Sequence, residues 1–399
     1  MKPSIRLQLS FMMFLQFFIW GGWFVTMNSF LSSINASPSE IGMAYGTQAL
    51  GAIIAPFIIG LIADRYFAAQ KILSVIHIIC AGLMFYLSTR TEFSSFYPVL
   101  LIYMILYMPT LALVNAIAFK QMKNPEKEFS FIRVWGTLGW IVAGLVIGWF
   151  AWKGQELSNT FLMTCATSVV LGLLSFFLPE TPPPKKGTPA TVSEILGLDA
   201  LKLLKDRNFA IFFLCSVLIC IPLAFYYQNA ETFVKSALNI NNAAGQMSIG
   251  QMSELAFMFL MPFFFVRFGV KKMLLFGMLA WVLRYLLFGF GDGLDNAWML
   301  YAGIILHGIC YDFFFVTGQI YTDQRAGEKI RSSAQGMITL ATYGIGMLIG
   351  FWVAGIVAEN NTIENGYDWE NIWLIPAGIA VAVMLLFLLL FKNKTEAAD

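Results

Sequence analysis

Apolar runs of about twenty residues recur along almost the whole chain, and no other feature constrains its fold so strongly. A helix of that length crosses the hydrocarbon core of a bilayer, and lipid offers the backbone no hydrogen-bond partners of its own. The chain therefore reads as an all-α polytopic membrane protein. Twelve transmembrane helices are expected, at 9–31, 41–63, 71–89, 97–119, 130–152, 160–178, 208–229, 246–267, 271–290, 297–319, 333–357 and 371–391. Composition agrees: 12% of residues are charged and 58% hydrophobic, against about 25% charged in a soluble domain. The first run, Phe11 to Phe30, is too long for a signal-peptide core and lacks a small-residue cleavage site, so it reads as the first span.

Orientation follows from lysine and arginine. With the N-terminus in the cytoplasm, about twenty basic residues fall inside and about three (Arg90, Lys153, Lys235) outside. Arg133 and Arg284 lie within spans, and both termini are then cytoplasmic. The longest polar insert, 179–207, separates a six-helix half at 1–178 from a second at 208–399, which ends in a short cytoplasmic tail. Within the insert, Ser193 to Lys205 has the pattern of a short amphipathic helix. The halves echo each other. Gln48 precedes Pro56 by eight residues and Glu254 precedes Pro262 by eight, while Ile132-Arg133 and Ile330-Arg331 open corresponding spans. Six-plus-six repeats of this kind mark the major facilitator fold, with a site near the midplane where the halves meet. Asp64-Arg65, preceded by Gly60, resembles part of that superfamily's loop signature, without the usual glycine and double basic pair after it.

Charge inside the spans is the functional signal. Asp312 sits within the tenth run, where an ionised carboxylate costs about 2.5–3.5 kcal/mol even on lenient scales. It needs a partner, a proton or a wet cavity, and Tyr311 and His307 give that helix a polar aromatic face. In span 8, Gln251 and Glu254 are three apart and share a face. Glu254 suits paired hydroxyls such as those of a ribose, or else pairs structurally with Arg284 at matching depth in span 9. Arg133, Thr137 and Trp140 line one face of span 5. Arg133 either snorkels to the inner interface or stands at a cavity floor, where pairing with Asp312 would make a proton gate. Gln16, Trp20 and Trp23 repeat that spacing in span 1. Tyr226-Tyr227-Gln228-Asn229 ends span 7, as an aromatic belt or as a hydrogen-bonding outer mouth. Pro109 is an expected kink, Asn115 an interhelical bond, His77 a packing histidine, and Gln335, Thr339 and Tyr343 packing with some cavity lining.

Other classes are poorly supplied. A phosphate-binding loop, a zinc pattern, a nucleophile elbow and a haem signature are all missing from the sequence, so neither metal nor cofactor is expected. The near-zero net charge of +2 leaves no nucleic-acid footprint. Five cysteines fall in apolar runs as small hydrophobes. Asn360-Asn361-Thr362 fits a glycosylation acceptor on the outer side. Rival readings are a facilitator, a proton symporter for another neutral solute such as a sugar, a membrane sensor on a transporter scaffold, and a membrane-embedded enzyme using Asp312 and His307 as acid and base.

Several longer strings carry a resemblance. Leu15-Gln16-Phe17 with Trp20-Gly21, Tyr107-Met108-Pro109-Thr110-Leu111, Ile132-Arg133-Val134-Trp135-Gly136-Thr137 and Leu196-Gly197-Leu198-Asp199-Ala200 resemble the nucleoside/proton symporter family of the major facilitator superfamily. So do Gln251-Met252-Ser253-Glu254, Pro262-Phe263-Phe264, Tyr311-Asp312-Phe313-Phe314 and Ser333-Ala334-Gln335-Gly336-Met337. The resemblance implies proton-coupled nucleoside uptake across a bacterial inner membrane, by alternating access in a protein that works as a monomer. It places Arg133, Thr137, Trp140, Gln251, Glu254, Tyr311 and Asp312 around the substrate, with Asp312 and Glu254 as coupling candidates. Tyr227, Gln228, Gln16 and His307 complete the candidate lining, and Arg284 is the structural ion-pair candidate. The chain departs from the family pattern at His307, where tyrosine is usual, at Trp140, where phenylalanine is usual, and across Tyr226 to Asn229.

Overall fold

The computed structural model describes residues 2–58, 62, 65–123, 125–183 and 198–392. Helix α1 (Pro3–Gly21) starts on a proline, whose missing N–H costs nothing in a first turn. The chain then leaves the helix at residues 22–26 and resumes as α2 (Met27–Ser33). The expected first span is thus two helices, broken beside the Gly21-Gly22 pair. After them come α3 (Pro38–Ile58), α4 (Ala69–Leu87), α5 (Phe93–Lys120), α6 (Pro125–Phe150) and α7 (Ser158–Ser175). Pro109, the expected kink, lies inside α5, which is continuous as a helix through both Pro98 and Pro109. Tyr107 and Thr110 on that turn are hydrogen-bonded to Gln16 of α1.

A 3₁₀ turn at Leu198–Lys205 stands where the end of the amphipathic segment was expected. Gly60, Asp64, Gly197 and Ser193 to Leu196 lie outside the described residues. Next come α8 (Arg207–Ala237) and α9 (Ala243–Phe290). A straight helix of α9's length would reach about 72 Å, more than two hydrocarbon thicknesses. It divides at Gly269, whose φ of 65° and ψ of 176° suit glycine almost alone. Expected spans 8 and 9 are its two arms.

The tenth run is broken into pieces: α10 (Ala297–Ile305), α11 (His307–Tyr311) and a π turn (Asp312–Val316). It passes into α12 (Thr317–Thr339), a second π segment (Leu340–Gly346) and α13 (Met347–Asn360). The Gln335 amide donates to the Gln319 carbonyl at 2.8 Å. Sixteen residues along a straight helix would span about 24 Å, so the chain doubles back within α12. A small hairpin of β1 (Thr362–Ile363) and β2 (Gly366–Tyr367) precedes α14 (Trp369–Leu390), which Asp368 caps through the Asn371 N–H. Nine helical stretches among the described residues are long and apolar enough to cross a membrane.

The chain forms two compact units, Met1–Leu196 with Tyr227–Gln251, and Gly197–Tyr226 with Met252–Asp399. The grouping follows contacts rather than chain order, and the ends of α8 and α9 belong with the first unit. In that unit α1 packs on α6 and α7, α4 on α5 and α7, and α3 on α5. Glycines let these backbones meet: a Cβ on Gly139 would fall 2.1 Å from the Phe14 carbonyl oxygen. In the second unit, Met261, Met273 and Phe313 form a core that joins both arms of α9 to the π turn.

Candidate functional site

The second unit holds the densest intramembrane chemistry. Arg284 is fully buried on α9, and its Cζ lies 3.5 Å from the centroid of the Tyr226 ring. Its Nη1 stands 3.0 Å from Nδ1 of His307. Arginine only donates, so Nδ1 must accept, and His307 is neutral with its proton on Nε2. That Nε2 faces Glu254 Oε2 at 3.7 Å. Tyr226 stacks on the imidazole at 5.4 Å and fixes the ring plane. The expected pairing of Arg284 with Glu254 therefore runs through His307, in the order cation, neutral imidazole, carboxylate.

Backbone chemistry explains why these groups converge. The tenth run breaks at Leu306, between α10 and α11. The Ser253 hydroxyl, on α9 beside Glu254, repairs that break by donating to the Ile305 carbonyl (2.7 Å) and accepting from the Gly308 N–H (3.1 Å). Gly308 makes the approach possible: a Cβ there would lie 2.6 Å from the Glu254 nitrogen. The seam sets Glu254 and His307 at matching depth.

One turn further on, Asp312 opens the π turn and is fully buried. Neither carboxyl oxygen has a hydrogen-bond partner among the described residues, and its electrostatic neighbour is Glu254. The Thr317 N–H bonds to the Asp312 carbonyl, the i to i+5 pattern that widens a helix and is frequent at functional sites. Half-buried Tyr311 places its hydroxyl 2.7 Å from that of Tyr343, which lies in the second π segment. Gln335 and Thr339 instead donate to backbone carbonyls, of Gln319 and Gln335 respectively.

The first unit carries the remaining candidates. Arg133 lays its guanidinium over the Phe17 ring at 4.1 Å, and its Nη1 has no hydrogen-bond partner among the described residues. Thr137 is buried, and Trp140 meets Trp20 edge-on at 5.6 Å. Trp20 in turn contacts Phe24 at 5.9 Å, and Phe24 contacts Tyr227 at 5.7 Å, an aromatic row from α6 across α1 to α8. Gln16 is fully buried, with its amide committed to Thr110 at 2.7 Å and His77 at 3.0 Å. Gln251 is half-buried one turn before Glu254 on α9. The side-chain amides of Gln228 and Gln48 are buried without hydrogen-bond partners among the described residues.

Sequence reasoning missed Glu231. It is buried on α8, one residue after the expected outer mouth, and accepts a hydrogen bond from Ser29 of α2. The expected span stopped at 229, whereas α8 continues to Ala237 and ends before Asn239, whose φ is 50°. The available signal was Glu231 with Lys235 at i, i+4 and no glycine or proline before Gly245. No group of three metal-ligating side chains occurs among the described residues.

The sequence model of the nucleoside H+ symporter family matches residues 2–396. The putative nucleoside transporter YegT of Escherichia coli K12 is 42% identical, covering 99% of this chain and 95% of its own. Nucleoside permease NupG of the same organism is 33% identical over 98% of this chain and 97% of its own. The crystal structure of the nucleoside transporter NupG superposes with a TM-score of 0.87 at 32% identity, covering 98% of this chain and 100% of that one.

Proposed function

The chain belongs to the nucleoside H+ symporter family, and on that premise we propose that it carries nucleosides inward with protons, Asp312 being the group that takes the proton. It is a multi-pass membrane transporter and not an enzyme. The relatives' names supply the substrate class, and the chemistry of the aromatic, amide and carboxylate groups suits it. Nucleobase contacts fall to Trp140, Tyr227, Gln228, Gln251 and Tyr311, with Arg133 and Thr137 donating from α6. Glu254 takes the ribose hydroxyls, held in place by His307. Gln16 acts through the α1 to α5 network that carries Trp20. The protein works as a monomer in the bacterial inner membrane with both termini in the cytoplasm, an orientation supported by the distribution of lysine and arginine.

The observation that carries the coupling role is the Asp312 carboxyl, buried with both oxygens unpartnered among the described residues. A proton removes the charge that such a site cannot solvate, and an open cavity lets it leave. The test is uptake of labelled uridine and adenosine into proteoliposomes, with and without an inward proton gradient, for wild type and Asp312→Asn. Gradient-driven accumulation should vanish in the variant while nucleoside binding persists. Equal, gradient-independent exchange in both proteins would leave a facilitator, and no binding of either nucleoside would send the substrate search to other neutral solutes.

A further inference from the structure

A third buried carboxylate lies apart from Asp312 and Glu254, in the first unit. Glu231 accepts from the Ser29 hydroxyl, joining α8 to α2. One turn before it, the Asn28 side-chain amide donates to the Gln228 carbonyl at 2.6 Å, and Phe24 packs edge-on against Tyr227. The Asn28 N–H and the Phe24 carbonyl are both held by the Tyr45 hydroxyl of α3, at 3.3 and 2.9 Å. The start of α9 is pinned to α6 as well, since a Cβ on Gly144 would strike the Ser248 hydroxyl oxygen at 2.4 Å. These contacts tie the ends of α8 and α9, from the second half of the sequence, to helices of the first half.

We propose that Ser29 and Glu231 form an outer latch of the transport cycle, a positioning pair that must part before substrate enters from outside. The proposal rests on the import reading above and on the orientation that puts these helix ends outside. Two features single the pair out within the seam. Among the described residues it is the side-chain contact there with a carboxylate, and the short helix α2 is set off from α1 by the turn at residues 22–26. Besides Ser29, the titratable groups facing Glu231 are Tyr45 on α3 and Lys235 one turn on in α8. A carboxylate is cheaper to hydrate than to bury, whereas a neutral acid or amide is cheaper to bury. Glu231 therefore favours the closed seam when uncharged and the open one when charged.

Two experiments test the latch. In the first, Asn229→Cys, a buried position two residues from Glu231, is labelled from outside with a membrane-impermeant maleimide in intact cells. Adding Glu231→Ala should raise the labelling rate about tenfold, equivalent to about 1.4 kcal/mol. Adding Glu231→Gln, which keeps an acceptor for Ser29 and carries no charge, should leave it at or below the parent rate. Equal rates in all three overturn the proposal, and so does faster labelling in the glutamine variant. In the second, Ser29→Cys with Glu231→Cys is oxidised in proteoliposomes. Disulfide formation should abolish nucleoside uptake and reduction should restore it, with each single-cysteine variant unaffected. Unimpeded uptake through a formed disulfide, or failure of the pair to cross-link, overturns the latch. The labelling experiment needs no transport, so a wrong substrate assignment would silence uptake in every sample yet leave the labelling difference intact.

Discussion

At the scale of single residues, the site is a chain of obligations. Arg284 can only donate, which makes His307 an acceptor at Nδ1 and turns its Nε2 proton toward Glu254. Removing the cation leaves that carboxylate facing a histidine with no reason to hold its tautomer. Breaking one partner of a buried pair costs about 3–5 kcal/mol. Arg284→Met should therefore lower the midpoint of thermal unfolding in detergent markedly. Arg284→Met with Glu254→Gln should recover part of the loss, since the uncompensated charge is gone; a double variant no more stable than the single would break this account. His307→Phe keeps the stack on Tyr226 but supplies neither acceptor nor donor. It should cut the rate of nucleoside uptake about tenfold, roughly 1.4 kcal/mol, and lower the midpoint of thermal unfolding too, since the buried Arg284 loses its acceptor. Glu254 and Arg284 were legible as charges at matching depth, and His307 was legible as a polar neighbour of Asp312. That the histidine would bridge them was not, because the bridge depends on an interhelical distance that no spacing within one span encodes.

At the scale of elements, the tenth run is functional because it is an imperfect helix. Its break at Leu306 is stitched by Ser253, and its next turn is widened at Asp312. Gly308→Val would drive a branched side chain into the Ser253–Glu254 backbone, which cannot step aside as a side chain could. Overpacking of this kind costs about 1–3 kcal/mol. The variant should unfold at a lower temperature and bind nucleoside more weakly, since Glu254 moves with the displaced helix. The two π segments are linked by the Tyr311 and Tyr343 hydroxyls. Tyr343→Phe removes one net hydrogen bond, about 0.5–1.5 kcal/mol. Hydrogen exchange should show it as faster exchange confined to residues 312–316 and 340–346. Hydrophobic periodicity cannot reveal π turns: one extra residue shifts the face by a fraction of a turn, and a run apolar on every side hides the shift.

At the scale of the molecule, the family reading makes transport a two-state problem, with the proton and the nucleoside favouring one state together. Accumulation of uridine in proteoliposomes should therefore follow the sign of the proton gradient: inward-directed gradients load the vesicles, and reversed gradients empty preloaded ones. Accumulation indifferent to the direction of the gradient would remove the proton from the cycle. Tyr226 stacks on His307 in one unit, while its neighbour Tyr227 meets Phe24 in the other. A single turn of α8 thus serves both the charged chain and the aromatic row.

The sequence by itself determined that this protein lives in a membrane, because lipid leaves long apolar segments one backbone solution. It also determined which polar groups must matter, since charge placed in such segments is too costly to be idle. Only the tertiary structure decided how those groups are used. The break of the first span at residues 22–26, the continuation of α8 through Glu231 to Ala237, and the burial of Glu231 against Ser29 all depend on neighbouring helices. Glu231 looked like the start of a loop, because a charged residue after an apolar run ordinarily meets water. A hydroxyl 202 residues away in the chain supplied the hydrogen bond instead, and contacts at that separation are set by packing, which local pattern does not carry.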